Sequence, residues 1–198
     1  DQKAIKNQIG TLMCQFGDEY WYNCDRQGEF PKDFYEKVAA GGWLGIALPK
    51  EYGGSSLGIT EASIMMREVA GAGGGMTAAS AIHINMFGPQ PIAAFGTHKQ
   101  KQRWLPPLIC GREKCCFGVT EPNAGLDTGK IQTFAKKNRD TYVVSGQKIW
   151  TSTAKIADKI MLLARTKHIG ECSKRTDGLT LFYTELDRSK VKIREIAK

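Results

Sequence analysis

The feature that most constrains the fold is a change in the spacing of apolar residues near Cys115. Before that point apolar side chains such as Ile5 and Ile9 recur every three or four residues, which is the spacing of one face of a helix. After it, short runs alternate and are rich in β-branched residues, which is typical of strands. The sequence therefore predicts an α+β fold, with an all-helical domain over residues 1–112 and a β-domain over residues 113–198.

Local start and stop signals divide the helical half. They predict five helices: one over about residues 2–23, one from Pro31 to Gly41–Gly42, one capped by Thr60 and ended by Gly71–Gly75, one over 78–87, and one capped by Thr97. Thr97 and Gln100 have the spacing of a capping box. Pro106 and Pro107 are expected to interrupt the fifth helix, since proline cannot donate its backbone hydrogen bond.

The second half contains candidate strands and no segment with helical periodicity that is long enough for a helix. The predicted strands cover residues 115–120, 131–136, 141–149, 158–166, 179–185 and 191–196. Asn138 to Asp140 suits a hairpin turn between the second and third of them. We therefore expect an antiparallel, barrel-like or sandwich-like domain, and a βαβ dinucleotide fold is disfavoured.

The charge of +8 is uneven along the chain. Residues 1–112 hold 11 basic and 10 acidic side chains, whereas residues 113–198 hold 17 basic and 10 acidic ones. This asymmetry suits an anionic ligand such as a nucleotide pyrophosphate or coenzyme A, but a solvated sheet face with spare lysines gives the same count. The basic residues are not clustered and are not interleaved with aromatic residues, so nucleic acid is not an expected partner.

Composition limits the cellular setting. No apolar run reaches the about 18 residues that a membrane helix requires, and the stretch after Asp1 lacks the apolar region of a secretory signal. The six cysteines have no zinc-like spacing, and a chain of 198 residues does not depend on disulfides. We expect a soluble, intracellular protein with reduced thiols, in which Cys115 and Cys116 are packed residues.

Two segments of the second half carry the strongest signal for function: FGVTEPNAGLD at residues 117–127 and GQKIWTS at residues 146–152. They resemble the two signature stretches of the acyl-CoA dehydrogenase family, the V-T-E-P-x-A-G-x-D loop and the G-x-K-x-W-[IT]-[ST] strand. Two stretches of the helical half, residues 43–54 and 95–106, also resemble that family. The resemblance covers about residues 30–190 and implies FAD as the cofactor.

A flavin is a flat, largely apolar ring with a polar edge, so its site needs an aromatic or apolar wall and several donors in the plane of the ring. By similarity to the family, the residues expected to bind the cofactor are Phe117, Val119, Thr120, Gly125, Leu126, Trp150, Thr151 and Ser152. Trp150 would form the wall, and Thr120 and Ser152 would offer hydroxyls to the ring edge. On a strand, Trp150 and Ser152 would face the same side.

Leu126 departs from the family pattern, which usually has a serine at this position that helps to hold the cofactor or coenzyme A. Leucine has no hydroxyl, so the substrate contact expected at Leu126 must be lost or must come from its backbone.

No catalytic residue is expected in this chain. Glu121 lies beside the expected ring, but the family uses this position structurally, and the family's catalytic glutamate comes from a C-terminal helical domain that would follow the β-domain. The fold is thus expected to stop before that helical bundle. A metal site is not expected, because the three histidines lie in different predicted elements.

The resemblance implies α,β-dehydrogenation of an acyl-CoA to a trans-2-enoyl-CoA, with electron-transferring flavoprotein as the acceptor. It also implies a homodimer or homotetramer in the mitochondrial matrix or in bacterial cytoplasm. Two alternatives stay open: an acyl-CoA oxidase or related flavin oxidase or monooxygenase on the same scaffold, and a non-catalytic module that binds flavin or acyl-CoA.

Overall fold

A computed structural model describes residues 2–196 of the chain. The chain divides into two compact units, Asp1–Lys114 and Cys115–Lys198. Within the described residues the first unit is helical and the second is built on a sheet. The α+β fold class predicted from the sequence is therefore confirmed.

The helical unit contains α1 to α7 in the described part of the chain. Their bounds are α1 Gln2–Met13, α2 Asp18–Gln27, α3 Lys32–Ala40, α4 Ile59–Val69, α5 Gly75–Phe87, α6 Gln90–Phe95 and α7 His98–Ile109. One apolar core joins most of them, and its fully buried side chains include Ile9, Phe34, Val38, Met65 and Ile82.

The single helix predicted over residues 2–23 is wrong, because the chain turns between α1 and α2. The turn is tightened by the backbone bond from Phe16 N to Met13 O at 2.9 Å. Phe16 is buried at this corner, where its ring packs on Trp21 and, edge to face, on Phe34 with centroids 5.6 Å apart. Trp21 donates its indole N–H to Phe16 O at 3.0 Å. Packing between aromatic residues from three elements therefore outweighs the continuous apolar stripe in the sequence.

Other helix boundaries show which local signals were sound. Thr97 caps α7 as predicted, since its hydroxyl accepts from Gln100 N and its own N–H donates to Gln100 Oε1 at 2.8 Å. The interruption predicted at Pro106 and Pro107 is wrong, because α7 continues through both prolines to Ile109.

The cap predicted at Thr60 is also wrong. The residue that precedes α4 is Gly58, whose backbone N–H donates to Glu61 Oε2 at 3.0 Å, and Thr60 lies inside the helix. Helix α6 was not predicted from the sequence.

The glycine cluster between α4 and α5 breaks the helix as predicted. Gly73 has a φ of 97°, a conformation that side chains disfavour. A Cβ on Gly74 would lie 2.5 Å from the Ala78 side chain and 2.8 Å from Trp21, so glycine lets the break pack directly against the core.

The sheet unit has five strands in its described residues. They are β1 Cys115–Gly118, β2 Phe134–Asn138, β3 Thr141–Ser145, β4 Lys159–Arg165 and β5 Leu179–Glu185. Strand β4 is central: it pairs in parallel with β1, antiparallel with β5, and at Arg165 in parallel with β2. Strands β2 and β3 form an antiparallel hairpin, with Arg139 in its turn at a φ of 53°.

The sheet is therefore mixed, and the described strands do not close into a barrel, so the antiparallel barrel or sandwich expected from the sequence is corrected. Alternation of apolar residues reports which face a residue lies on, and it carries no information on strand direction. The 40 residues between β1 and β4 are ample for the crossover that a parallel pair requires.

One predicted strand is absent, and others begin later or end earlier than predicted. Residues 191–196 and residues 146–149 are not in strands. The first stretch follows β5 as an exposed loop, and the second belongs to the candidate site described below. Among the described residues, no helix has the length and apolar character needed to cross a membrane.

Candidate functional site

The first motif segment, residues 117–127, leaves the end of β1 and folds into a compact turn. Glu121 and Ala124 exchange backbone hydrogen bonds at 2.9 and 3.1 Å, which closes the turn around Pro122 and Asn123. At its far end Asp127 accepts from Gly129 N at 3.1 Å and forms an ion pair with Arg175 at 3.0 Å. The segment is thus anchored at both ends, while its middle faces outward.

The second motif segment, residues 146–152, lies against the first. Ile149 N donates to Thr120 O at 2.9 Å. Lys148 Nζ donates to Val119 O at 3.0 Å and to Glu121 Oε1 at 2.8 Å. The backbone and one ammonium group therefore connect the two segments that the sequence singled out.

Glu121 is buried at the centre of this connection and is 7% exposed. Its carboxylate also accepts from the backbone N–H groups of Gln132 at 2.7 Å and Thr133 at 2.9 Å. Burial by itself raises the pKa of this carboxyl, but the hydrogen bonds from Lys148 and from the backbone N–H groups of Gln132 and Thr133 outweigh it and lower the pKa to about 2. A carboxylate held this firmly in its ionised form is a poor proton acceptor at neutral pH, in agreement with the structural role expected for Glu121.

Trp150 is presented to solvent in an uncommon backbone conformation. It has a φ of 59° and its side chain is 68% exposed, although a large aromatic side chain is normally packed. Ser152 N donates back to Trp150 O at 3.1 Å, and Thr153, with a φ of 62°, has its hydroxyl 2.6 Å from Ser152 O and 3.3 Å from Cys115 O. Strained conformations of this kind persist where the surrounding structure holds them, and they cluster at functional sites.

This conformation corrects the expectation that Trp150 and Ser152 share one face of a strand. The segment is irregular, and the left-handed residue at Trp150 breaks the alternation on which that expectation depended. Both side chains are nevertheless exposed.

Between these two residues, Thr151 has a buried hydroxyl without a hydrogen-bond partner in the described part of the chain. Buried polar atoms almost always have a partner, so an orphan of this kind calls for an explanation such as a bound group. The stretch of residues 150–152 therefore combines an exposed aromatic ring, an unsatisfied hydroxyl and an exposed serine.

Gly125 and Leu126 lie on the exposed middle of the first segment. A Cβ on Gly125 would meet no atom within 4 Å among the described residues, and Leu126 is fully exposed. Packing within the described residues therefore does not account for a glycine at position 125 or an apolar side chain at position 126. Phe117, Val119 and Thr120 are half-buried where the segment leaves β1.

The structure thus brings Val119 and Thr120 of the first segment into contact with the second segment through Lys148 and Ile149. It does not gather all eight predicted residues around one cavity. A cavity of about 210 Å³ in this unit has a different lining, consisting of Ile131, Gln132, Phe134, Arg165, His168 and Ile169. The predicted residues instead present an open surface.

Sequence reasoning missed two buried basic residues of this unit. Lys148 was quoted within the motif without a role, and Arg165 was not singled out. Arg165 is 2% exposed, and its guanidinium donates to four backbone carbonyls, those of Ile131, Asp177, Gly129 and Arg175. A charged residue directly after the apolar run of β4 was the available signal for Arg165.

Metal-ligating side chains and thiols are the other groups of chemical interest in the described residues. In residues 2–196 no group of three or more His, Cys, Asp or Glu side chains is arranged to hold a metal ion. Cys115 and Cys116 are buried as predicted, and burial raises the pKa of each thiol to about 12. Neither is therefore a reactive thiolate.

Comparison with known proteins gives matches along both units. The family model for the acyl-CoA dehydrogenase N-terminal domain matches residues 1–112, and the model for the acyl-CoA dehydrogenase middle domain matches residues 116–198. A probable acyl-CoA dehydrogenase of Bacillus subtilis is 40% identical over 168 residues, which are 84% of this chain and 43% of that protein.

Solved structures agree. An acyl-CoA dehydrogenase from Geobacillus kaustophilus superposes with a TM-score of 0.84 at 25% identity, covering 94% of this chain and 48% of that one. A structure described as the electron transferring flavoprotein of Acidaminococcus fermentans gives a TM-score of 0.82 at 29% identity, again over 94% of this chain and 48% of the other. The chain spans about half the length of the proteins it matches.

Proposed function

Because this chain belongs to the acyl-CoA dehydrogenase family, we propose that it forms the helical domain, residues 1–112, and the middle β-domain, residues 113–198, of an FAD enzyme. The enzyme would convert an acyl-CoA into the corresponding trans-2-enoyl-CoA. The observation that carries this proposal is the outward presentation of Trp150, in a strained conformation, beside the orphaned hydroxyl of Thr151 and directly after Ile149, which is hydrogen-bonded to the first motif segment.

The two segments contain the residue types that a flavin site needs. Trp150 supplies an exposed aromatic wall, and Thr120, Thr151 and Ser152 supply hydroxyls for the polar edge of the ring. Gly125 leaves room for the close approach of a ligand to the backbone. Phe117, Val119 and Leu126 complete the proposed set of contacts, with Leu126 also meeting the substrate.

Bound FAD would supply the acceptor for the hydride that leaves the β-carbon of the substrate. The part of this chain is to bind and orient: the wall at Trp150 would fix the ring plane, and the hydroxyls would hold its polar edge. The exposed Leu126 would offer an apolar contact and no side-chain hydrogen bond to the acyl-CoA.

Removal of the α-proton requires a carboxylate that is free to accept it. Glu121 does not qualify, because it is buried, ionised and paired with Lys148. As membership of the family implies, we propose that the base is a glutamate of the family's C-terminal helical domain.

For the electron acceptor we propose an electron-transferring flavoprotein, a choice supported by the match to the Acidaminococcus fermentans structure. We also propose a homodimer or homotetramer. A reducing compartment, the mitochondrial matrix or bacterial cytoplasm, is consistent with six cysteines that form no disulfide in the described part of the chain.

The test is anaerobic titration of the full-length protein, purified with added FAD, with acyl-CoA substrates of different chain lengths. We expect visible flavin absorbance that is lost on addition of a substrate and a stoichiometric enoyl-CoA product. A protein that binds neither FAD nor acyl-CoA contradicts the proposal. Rapid return of the absorbance with oxygen, accompanied by hydrogen peroxide, would favour the oxidase alternative, and flavin binding without any product would favour the binding module.

A further inference from the structure

We propose that Lys148 is a positioning residue of the cofactor site: through Glu121 and Val119 its ammonium group fixes the two motif segments against each other and so sets the position of Trp150. This inference rests on the proposed function for the identity of the ligand. The hydrogen bonds from the Lys148 ammonium group to Glu121 and Val119, called the clamp below, are a property of this chain.

The ammonium group of Lys148 is placed between the segments and is shielded from water. Its side chain is 9% exposed and that of Glu121 is 6% exposed. One donor reaches a backbone carbonyl of the first segment, Val119 O at 3.0 Å, and another reaches the Glu121 carboxylate at 2.8 Å. Hydrogen bonds between charged groups in such a site are shorter and stronger than neutral ones.

Glu121 extends the clamp to a third stretch of chain. Its two oxygens accept from Gln132 N and Thr133 N, just before β2. Gly146, the first residue of the second segment, packs on Thr133 so closely that a Cβ there would clash with the Thr133 side chain. The second segment is therefore held at its start by Thr133 and in its middle by Lys148.

Trp150 follows this clamp by two residues. Ile149, between them, donates its N–H to Thr120 O, so the backbone is tied to the first segment immediately before the left-handed residue. Because a left-handed tryptophan is disfavoured by itself, its conformation depends on the contacts on either side. Lys148 supplies a charge-assisted contact before Trp150, and after it the Thr153 hydroxyl lies 2.6 Å from Ser152 O and 3.3 Å from Cys115 O.

The first arm of the experiment needs no cofactor. Backbone amide exchange is measured in the full-length apo-protein for the wild type, Lys148→Met and the double variant Glu121→Gln/Lys148→Met. The double variant guards against misfolding, since it removes both buried charges together and leaves no unpaired carboxylate. We expect faster exchange at Ile149 in both variants and unchanged exchange along β4 and β5.

The second arm measures the FAD dissociation constant and the visible circular dichroism of the bound flavin. Lys148→Met and the double variant should both weaken FAD binding by roughly tenfold or more and alter the flavin dichroism, because a charge-assisted contact that holds the site is lost. The matched control is Lys159→Met. This residue pairs with Glu185 of β5 at 2.6 Å, an ion pair that involves neither motif segment, and its loss should leave FAD binding unchanged.

A double variant with wild-type exchange at Ile149 and wild-type FAD affinity would overturn the inference. Loss of FAD affinity in Lys159→Met equal to that in Lys148→Met would overturn it as well, because the effect would then follow from any lost ion pair. If the wild-type protein binds no FAD, the proposed function fails, and the exchange of Ile149 still decides whether Lys148 holds the segments together.

Discussion

Each of the two units of this chain is stabilised internally by a different kind of interaction. The helical unit buries large apolar and aromatic side chains in one core, with Phe34, Val38, Met65 and Ile82 fully inaccessible. In the sheet unit the buried apolar residues are mostly small, such as Cys115, Ala135 and Ala164. The sheet unit instead buries charged groups, Glu121 and Arg165, each surrounded by backbone hydrogen bonds.

The difference relates stability to function. Apolar packing is strong and non-directional, so it suits a scaffold. A buried charge with several backbone partners costs desolvation, but it fixes particular loops in particular places. In the sheet unit those loops are the two motif segments, whose aromatic and hydroxyl groups remain exposed.

The largest effect on stability should come from the helical core. Phe34→Ala removes a fully buried ring that contacts Phe16 and Trp21, and we expect a loss of about 3–5 kcal/mol in the free energy of unfolding. Tyr22→Ala on the neighbouring helix is the control, because Tyr22 is 63% exposed and should change stability by less than about 0.5 kcal/mol. Denaturant titration measures both. A cost below about 1 kcal/mol for Phe34→Ala would break the contrast between the units.

A buried charge of the sheet unit should come next. Arg165→Met leaves backbone carbonyls without donors, and we expect a loss of about 3 kcal/mol. Arg188 also donates to three carbonyls but is exposed, so water can replace it, and Arg188→Met should cost about 1 kcal/mol or less. Equal losses in the two variants would show that burial of Arg165 is immaterial.

Acid should weaken the sheet unit through Glu121. The pKa of this carboxyl is lowered in the folded state from an ordinary value of 4.5 to about 2. Its contribution to stability is therefore complete above about pH 4.5 and is lost as the pH falls towards 2. Glu121→Gln should remove about 2 kcal/mol of this pH dependence. The test is to measure the free energy of unfolding of both proteins by denaturant titration from pH 6 downward, in steps of about half a pH unit. If the free energy of unfolding depends on pH in the same way in both proteins, the ionised carboxyl is not stabilised by its partners.

The smallest change in the free energy of unfolding is expected for a substitution at the exposed Ser152. Ser152→Ala removes an exposed hydroxyl, so it should cost roughly 1 kcal/mol or less of stability. If Ser152 meets the ring, the same change should slow reduction of the flavin by acyl-CoA in stopped-flow measurements. An unchanged reduction rate would remove Ser152 from the site.

Some parts of the fold that depend on local chemistry could be predicted from the sequence, although the local signals at Thr60, Pro106 and Pro107 gave wrong predictions. The parts that depend on distant packing could not be predicted. The capping pair Thr97–Gln100 was sufficient to place the start of α7. The break between α1 and α2 was missed because it depends on Phe16 meeting Phe34, which lies 18 residues along the chain. The parallel pairing of β1 and β4 was missed because alternation does not encode strand direction.

The candidate site shows the same division. The two motif segments were identified by their residues, but the left-handed backbone at Trp150 and the clamp by Lys148 arise only when the segments meet. A lysine between polar and apolar neighbours, as in residues 146–149, carries no local signal that it will be buried.

The most direct test of the account is the affinity of the full-length protein for FAD when the exposed ring is removed. Trp150→Ala should raise the FAD dissociation constant by about tenfold or more, since an aromatic wall contributes both area and stacking, while changing the free energy of unfolding of the apo-protein by less than about 1 kcal/mol. Tyr142→Ala, at a partly exposed aromatic residue of β3 whose ring packs on Phe182, serves as the control for FAD binding and should leave the FAD dissociation constant unchanged. Unchanged FAD affinity in Trp150→Ala would contradict the claim that the two motif segments form the cofactor site.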